Sequence, residues 1–272
     1  RGPERADQAS RELPEEEPIR PDANSPAPTP PRAAGPQGAV PVRAGGFELD
    51  RQLTPLKRRL VHEATLAIRM VEDALAALWS GDVAAAAEVL QRDDEVDDQE
   101  VAIEQECYRL LALHAPVARD FRTIAFVLKV NADIERVADH ATSIAKVVQR
   151  MRPPVPPLPT ALRELGQRVP LTCHTLMRAV LDEDMASAEN IVTSDETIDE
   201  LEKRCMDEVV ELLHQSRGRD AELRNVLMLY RVARELERIG DLMASIAEDV
   251  VYLSTGEIIR HEKKKLRALL ES

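Results

Sequence analysis

Two acidic residues one helical turn apart are the most informative feature of this chain. In "DIERVADHATSIAK" (133–146) they are Glu135 and Asp139. In "ELERIGDLMASIAE" (235–248), which aligns without a gap at an offset of 102, they are Glu237 and Asp241. Like charges at this spacing cost an isolated helix a few tenths of a kcal/mol, so their recurrence calls for a chemical reason. Upstream, "DDEVDDQE" (93–100) resembles "SDETIDEL" (194–201) at an offset of 101, which pairs Asp94 and Asp98 with Asp195 and Asp199. Carboxylates gathered without thiolate or imidazole suit a hard cation in an oxygen shell: Mg²⁺, Mn²⁺, Ca²⁺ or iron. The expected metal ligands are therefore Asp94, Asp98, Glu135 and Asp139 in one half, and Asp195, Asp199, Glu237 and Asp241 in the other. The competing reading is a solvated acidic face with Arg136 and Arg238 as ion-pair partners; the duplication favours ligands.

The elements that carry these acids follow from the apolar period. Ile134, Val137, Ala138, Ala141, Ile144, Ala145 and Val148 fall on one helical face, and Leu236, Ile239, Gly240, Met243, Ile246, Ala247 and Val250 repeat it. Glu135, Asp139, Glu237 and Asp241 lie off that face, outward or at a groove edge. The spacing predicts helices from Leu53 to about Trp79, from the N-cap Asp82 to about His114, and on to about Met151. Further helices are expected over 160–181 with a kink at Pro170, over 184–214, and over 220–254 after the turn "SRGRD". Each acid-bearing helix should lie antiparallel to the next, bringing the two pairs of a half together. "DFRTIAFVLKV" (120–130) also matches "ELRNVLMLYRV" (222–232), so a unit is duplicated. The expected fold is all-α, two tandem antiparallel three-helix bundles over 51–152 and 160–254. A stiff proline linker fills 153–159. A proline-rich tail over 1–50 is too poor in apolar residues to order, and a basic tail occupies 255–272.

Composition narrows the function. A net charge of −13 argues against a nucleic-acid partner. No apolar run is long enough to span a membrane, and no signal-peptide pattern is present, so a cytoplasmic setting is expected. Cys107, Cys173 and Cys205 fit neither a zinc motif nor a disulfide framework and read as core thiols in a reducing compartment. His140 has Leu242 as its counterpart, so the repeat does not require imidazole there. A di-iron carboxylate enzyme would need Glu-x-x-His on two helices; one such motif exists, Glu211 to His214. A metal-free helical scaffold is the other alternative.

From about Leu53 to Ser254 the chain resembles the PhoU family of phosphate-transport accessory regulators. The resemblance rests on "APVARDFR" with Pro116, Asp120 and Arg122, on the two acidic motifs, and on the duplicated layout. It implies paired acidic motifs holding metal clusters, here iron, manganese or magnesium, on each bundle. It also implies a non-enzymatic repressor of the phosphate-starvation response, a homodimer that links the ATPase of a phosphate ABC transporter to a sensor histidine kinase. The second half departs at "RDAELR", which lacks the proline and carries Glu222 in place of Asp120.

Overall fold

Leu49, Leu53, Leu56 and Leu60 are spaced to form one stripe of a helix, and all four are buried along α1 (Gly46–Ser80) of the computed structural model. The structure describes residues 46–215 and 220–256. The helix starts inside the expected tail rather than at Leu53, because Leu49 extends the buried stripe by one turn. The remainder of that tail, residues 216–219 of the expected turn and the basic tail beyond Gly256 lie outside the described residues.

Gly81 (φ 70°) ends α1, and the Asp82 carboxylate then accepts from the amides of Ala84 and Ala85 at 2.9 and 3.0 Å, starting α2 (Val83–Gln91). The same turn recurs 102 residues later with Glu183 at φ 50° and Asp184 bonded to Ser187. A single helix was expected from Asp82 to His114. Instead it breaks at Arg92, whose guanidinium reaches out to Asp73 at 2.7 Å, and α3 (Asp93–His114) begins with Asp93, Asp94 and Glu95 in its first turn. Acidic side chains there meet the positive end of the helix dipole, a start signal carried by charge where neither glycine nor proline marks the break.

The chain continues as α4 (Ala118–Arg150), α5 (Thr160–Asp182), α6 (Met185–Gln215) and α7 (Asp220–Thr255). Between α4 and α5 the proline segment is non-helical. Asn225 of α7 fastens it, donating to the carbonyls of Arg152 and Pro154 at 2.6 and 2.9 Å. α5 runs on through Pro170 as one helix.

Helices α1, α3 and α4 pack together as the first bundle, with α2 laid against α1 and α4; α5, α6 and α7 form the second. The two bundles also touch, α4 against α7 and α1 against α5, so their apolar faces merge into one core. Every residue of the two predicted apolar faces on α4 and α7 is buried. All three cysteines are buried, and burial pushes each thiol up to about 12, as expected of core thiols.

Ion pairs bridge the bundles. Lys129 of α4 meets the buried Asp249 of α7. Glu183 takes Lys57 of α1 and, at 2.7 Å, Arg119 of α4. His140 of α4 bonds through Nδ1 to Glu235 of α7 at 2.7 Å, which accounts for its place outside the repeat.

Two carboxylate walls as a candidate metal centre

On the second bundle, α6 and α7 bring together what the sequence places in one quartet. Asp199, Glu237 and Asp241 each offer an oxygen, and the three oxygens lie within 4.8 Å of one another. Asp199 and Glu237 are half-buried and Asp241 is exposed, so the group sits at the rim of the α6–α7 groove. Asp195 lies one turn before Asp199 on α6 and is half-buried. Glu202, one turn after, is buried and accepts from the Tyr230 hydroxyl at 2.5 Å. Arg234 of α7 reaches Glu237 at 3.2 Å and Glu202 at 3.7 Å. Burial, with Asp241 beside it, raises the Glu237 carboxyl above its ordinary range. Its Oε2 is buried without a hydrogen-bond partner among the described residues.

The first bundle repeats this wall, shifted by one residue from the expectation. Glu135 is pushed up to about 7 by burial and by the charges of Asp139, Glu100 and Asp97. Asp93 is raised by burial, then by Asp97 and Asp139. The α3 residues that face Glu135 and Asp139 are thus Asp93, Asp97 and Glu100. Asp97 is exposed, as Asp94 and Asp98 are, but only Asp97 of the three is among the charges that act on Glu135; Asp94 and Asp98 lie on the neighbouring strip, a difference from the sequence expectation. The slip arose from aligning this segment at 101. At 102, the offset of the rest of the repeat, Asp93, Asp97 and Glu100 match Asp195, Asp199 and Glu202. The buried Val96 then matches the buried Ile198 rather than the half-exposed Thr197. Core positions set helical register more firmly than acids, which a solvated face supplies at any phase.

Three further members escaped the sequence. Glu202 and Glu100 follow from the corrected register. Glu63 of α1 carried no such signal: its counterpart 102 residues on is Leu165, and a lone glutamate in a leucine-rich helix reads as surface. It is 0% exposed, and burial, with Glu100 and Glu135 facing it, pushes its carboxyl up to about 8. Among the described residues no second trio of possible ligand atoms comes as close as the Asp199 group. In the second wall Arg234 draws the acids inward; at the first, Ala132 stands in its place.

The lone Glu-x-x-His motif does not enter the core. Glu211 and His214 are both exposed on α6, and Glu211 is bonded to Gln215 at 2.9 Å. That arrangement offers no di-iron site of the Glu-x-x-His type.

Close packing under the second wall makes it sensitive to α6–α7 spacing. A Cβ at Gly240 would lie 2.9 Å from Ile198 Cδ1 and 3.1 Å from its Cγ2; the first half has Ala138 and the smaller Val96 at these places. We expect Gly240→Ala to destabilise the protein by about 1–2 kcal/mol and Ile198→Val to restore part of it, read from urea midpoints of the single and double variants. Equal midpoints for wild type and Gly240→Ala would show that the groove adapts freely.

A family model described as the PhoU domain matches residues 60–148 and 162–250, one copy on each bundle. A phosphate-specific transport system accessory protein PhoU homolog of Deinococcus radiodurans is 37% identical over 170 residues, which are 62% of this chain and 78% of that protein. A homolog from Aquifex aeolicus is 30% identical over 221 residues, covering 80% of this chain and 98% of its own. Among solved structures, PhoU from Pseudomonas aeruginosa superposes with a TM-score of 0.73 at 29% identity, over 77% of this chain and 100% of that one. The phosphate transport system regulatory protein PhoU from Streptococcus pneumoniae gives 0.72 at 28%, over 78% and 99%.

Proposed function

The chain belongs to the PhoU family, and from that membership we propose that it regulates phosphate transport, holding hard metal cations on its two carboxylate walls. The relatives named as phosphate-specific transport system accessory proteins support the regulatory role. The observation that carries the metal reading is the approach of Asp199, Glu237 and Asp241 to within 4.8 Å, with a buried, partnerless oxygen on Glu237. Left to themselves these groups repel; a cation in an all-oxygen shell reverses the sign. The donors suit magnesium, manganese or iron and do not suit a thiolate-seeking metal. Asp199, Glu237 and Asp241, with Asp195, would hold it on the second bundle; Asp93, Asp97, Glu135 and Asp139 on the first. Bound metal would supply positive charge and open coordination positions at an otherwise acidic surface.

In this reading the protein works by binding rather than by catalysis. As a homodimer in the cytoplasm it couples the ATPase of a phosphate ABC transporter to a sensor histidine kinase and restrains uptake when phosphate is plentiful. No helix among the described residues is long and apolar enough to cross a membrane. A pull-down from phosphate-replete and phosphate-starved cells tests the role. Recovery of the ATPase or the kinase in replete cells supports it; absence of both under both conditions contradicts it. Loss of that recovery in Asp139→Asn/Asp241→Asn would tie the partner contact to the walls, whereas unchanged recovery would leave a metal-independent helical scaffold.

A further inference from the structure

The two walls are repeats, yet three places in their interiors differ in polarity. Behind the first wall α1 presents Glu63, where the second has Leu165. Beside Glu100 the first wall has Leu128 and Ala132, where Glu202 meets Tyr230 and Arg234. The second wall therefore carries its own buried-side neutralisation: a hydroxyl and a guanidinium occupy Glu202, and the same guanidinium holds Glu237. The first wall has an additional carboxyl group and no such internal cation among the described residues. Arg59 and Lys146 lie near it but are exposed, and Arg136 is spent on Asp133 at 3.1 Å.

Glu63 is 0% exposed, and neither of its oxygens has a hydrogen-bond partner among the described residues. A carboxyl group placed this way is costly for an isolated protein. It sits where α1 packs on α3 and α4, and the charges that reach it come from Glu100 and Glu135. Two things would relieve those oxygens: a proton held on the carboxyl, or a cation arriving between the three helices where Glu100 and Glu135 also face. Three carboxylates from three helices face one another here; their oxygens do not come as close as the Asp199 group, and a small hard cation would draw them together.

We propose that Glu63 is an inner ligand of the first wall, completing with Glu100 and Glu135 an oxygen shell for a divalent cation that the second wall, with Leu165 in its place, does not build. The inference rests on the reading that the walls bind metal, and it adds that the two sites are unequal. Affinity for hard cations rises with the number of charged ligands and the rigidity of the site, so the first wall is the tighter. The second wall, partly neutralised by Arg234, fills later.

Mn²⁺ alone is the probe. The full chain, stripped with chelator, is titrated while the free hexaaquo ion is followed by electron paramagnetic resonance. Wild type should show two classes of site. Glu63→Gln, which keeps the shape and removes the charge, should weaken the tighter class at least tenfold and leave the other; Asp199→Asn should do the reverse. Glu63→Leu, copying the second half, should behave as Glu63→Gln. In chelator both Glu63 variants should melt higher than wild type, which shows that they fold, and Mn²⁺ should raise their melting temperature less. The proposal is overturned if Glu63→Gln leaves both classes unchanged while Asp139→Asn abolishes the tighter one, the metal reading then surviving. If wild type binds no Mn²⁺, the metal reading and this inference fall together.

Discussion

In the presence of chelator, the free energy of unfolding should fall by roughly 3 kcal/mol between about pH 5 and pH 8. Glu63 and Glu135 are the cause. In the unfolded chain each ionises near its ordinary value of 4.5, whereas in the folded protein they hold their protons up to about 8 and about 7. Below 4.5 both states are protonated at these groups and the native state keeps their full contribution. As pH rises through that value the unfolded state gains by ionising first, so native stability drains away until the folded values are passed. Glu237, Glu100 and Asp93 are raised as well and act in the same sense. Glu235 and Glu183 are lowered, Glu235 by His140 and Arg231 against its burial and Glu183 by Lys57 above all. Their contribution is present above 4.5 and lost as pH falls through their folded values, which bounds the optimum on the acid side. Saturating Mn²⁺ should flatten the upper limb, because a ligand that binds only the native, deprotonated walls stabilises it most where protons compete least. Melting temperatures recorded from pH 4 to 9, with chelator and with Mn²⁺, check this. A metal-free curve that is level across the neutral range would contradict the walls as described.

The second large effect concerns the contact between the bundles. Glu235→Ala should cost about 2–3 kcal/mol, with an unchanged urea m-value. Glu235 is 5% exposed and gathers the His140 imidazole at 2.7 Å across the bundle interface and two guanidinium groups, Arg231 at 3.4 Å and Arg238 at 3.9 Å. Removing the carboxylate leaves a half-buried imidazole facing a cavity, while the two arginines, about half exposed, recover water. Glu235→Gln should cost less, since it preserves the hydrogen bond to His140. Urea midpoints for both variants decide it. A loss under about 0.5 kcal/mol for Glu235→Ala would show that apolar packing of α4 on α7 suffices alone.

Most of the architecture was legible because it rests on apolar period. The faces of α4 and α7, the linker, and the turns at Asp82 and Ala115 follow from residue type, and the buried faces match residue for residue. The duplication was legible for the same reason. Within the site, Glu135, Asp139, Asp195, Asp199, Glu237 and Asp241 stand on the facing helices where the repeat placed them. Asp94 and Asp98 stand on α3 but one residue out of register, because a run of six acids in eight residues offers several phases and only the buried Val96 fixes one. The break at Arg92 escaped because its signal is electrostatic. Glu63 escaped because nothing local distinguishes a glutamate turned into the core from one turned to water; the evidence for it is tertiary. The repeat assigns His140 no role, and its partner on α7 emerges only when the two bundles pack.

The central claim is that facing carboxylates on α3–α4 and on α6–α7 gather hard cations. Anomalous scattering from crystals grown with Mn²⁺ measures it most directly. The expected result is a peak among Asp199, Glu237 and Asp241 and another among Asp93, Asp97, Glu135 and Asp139, with Asp94 and Asp98 in solvent. Crystals saturated with Mn²⁺ that show no peak at either wall, or peaks held by Asp94 and Asp98, would contradict it.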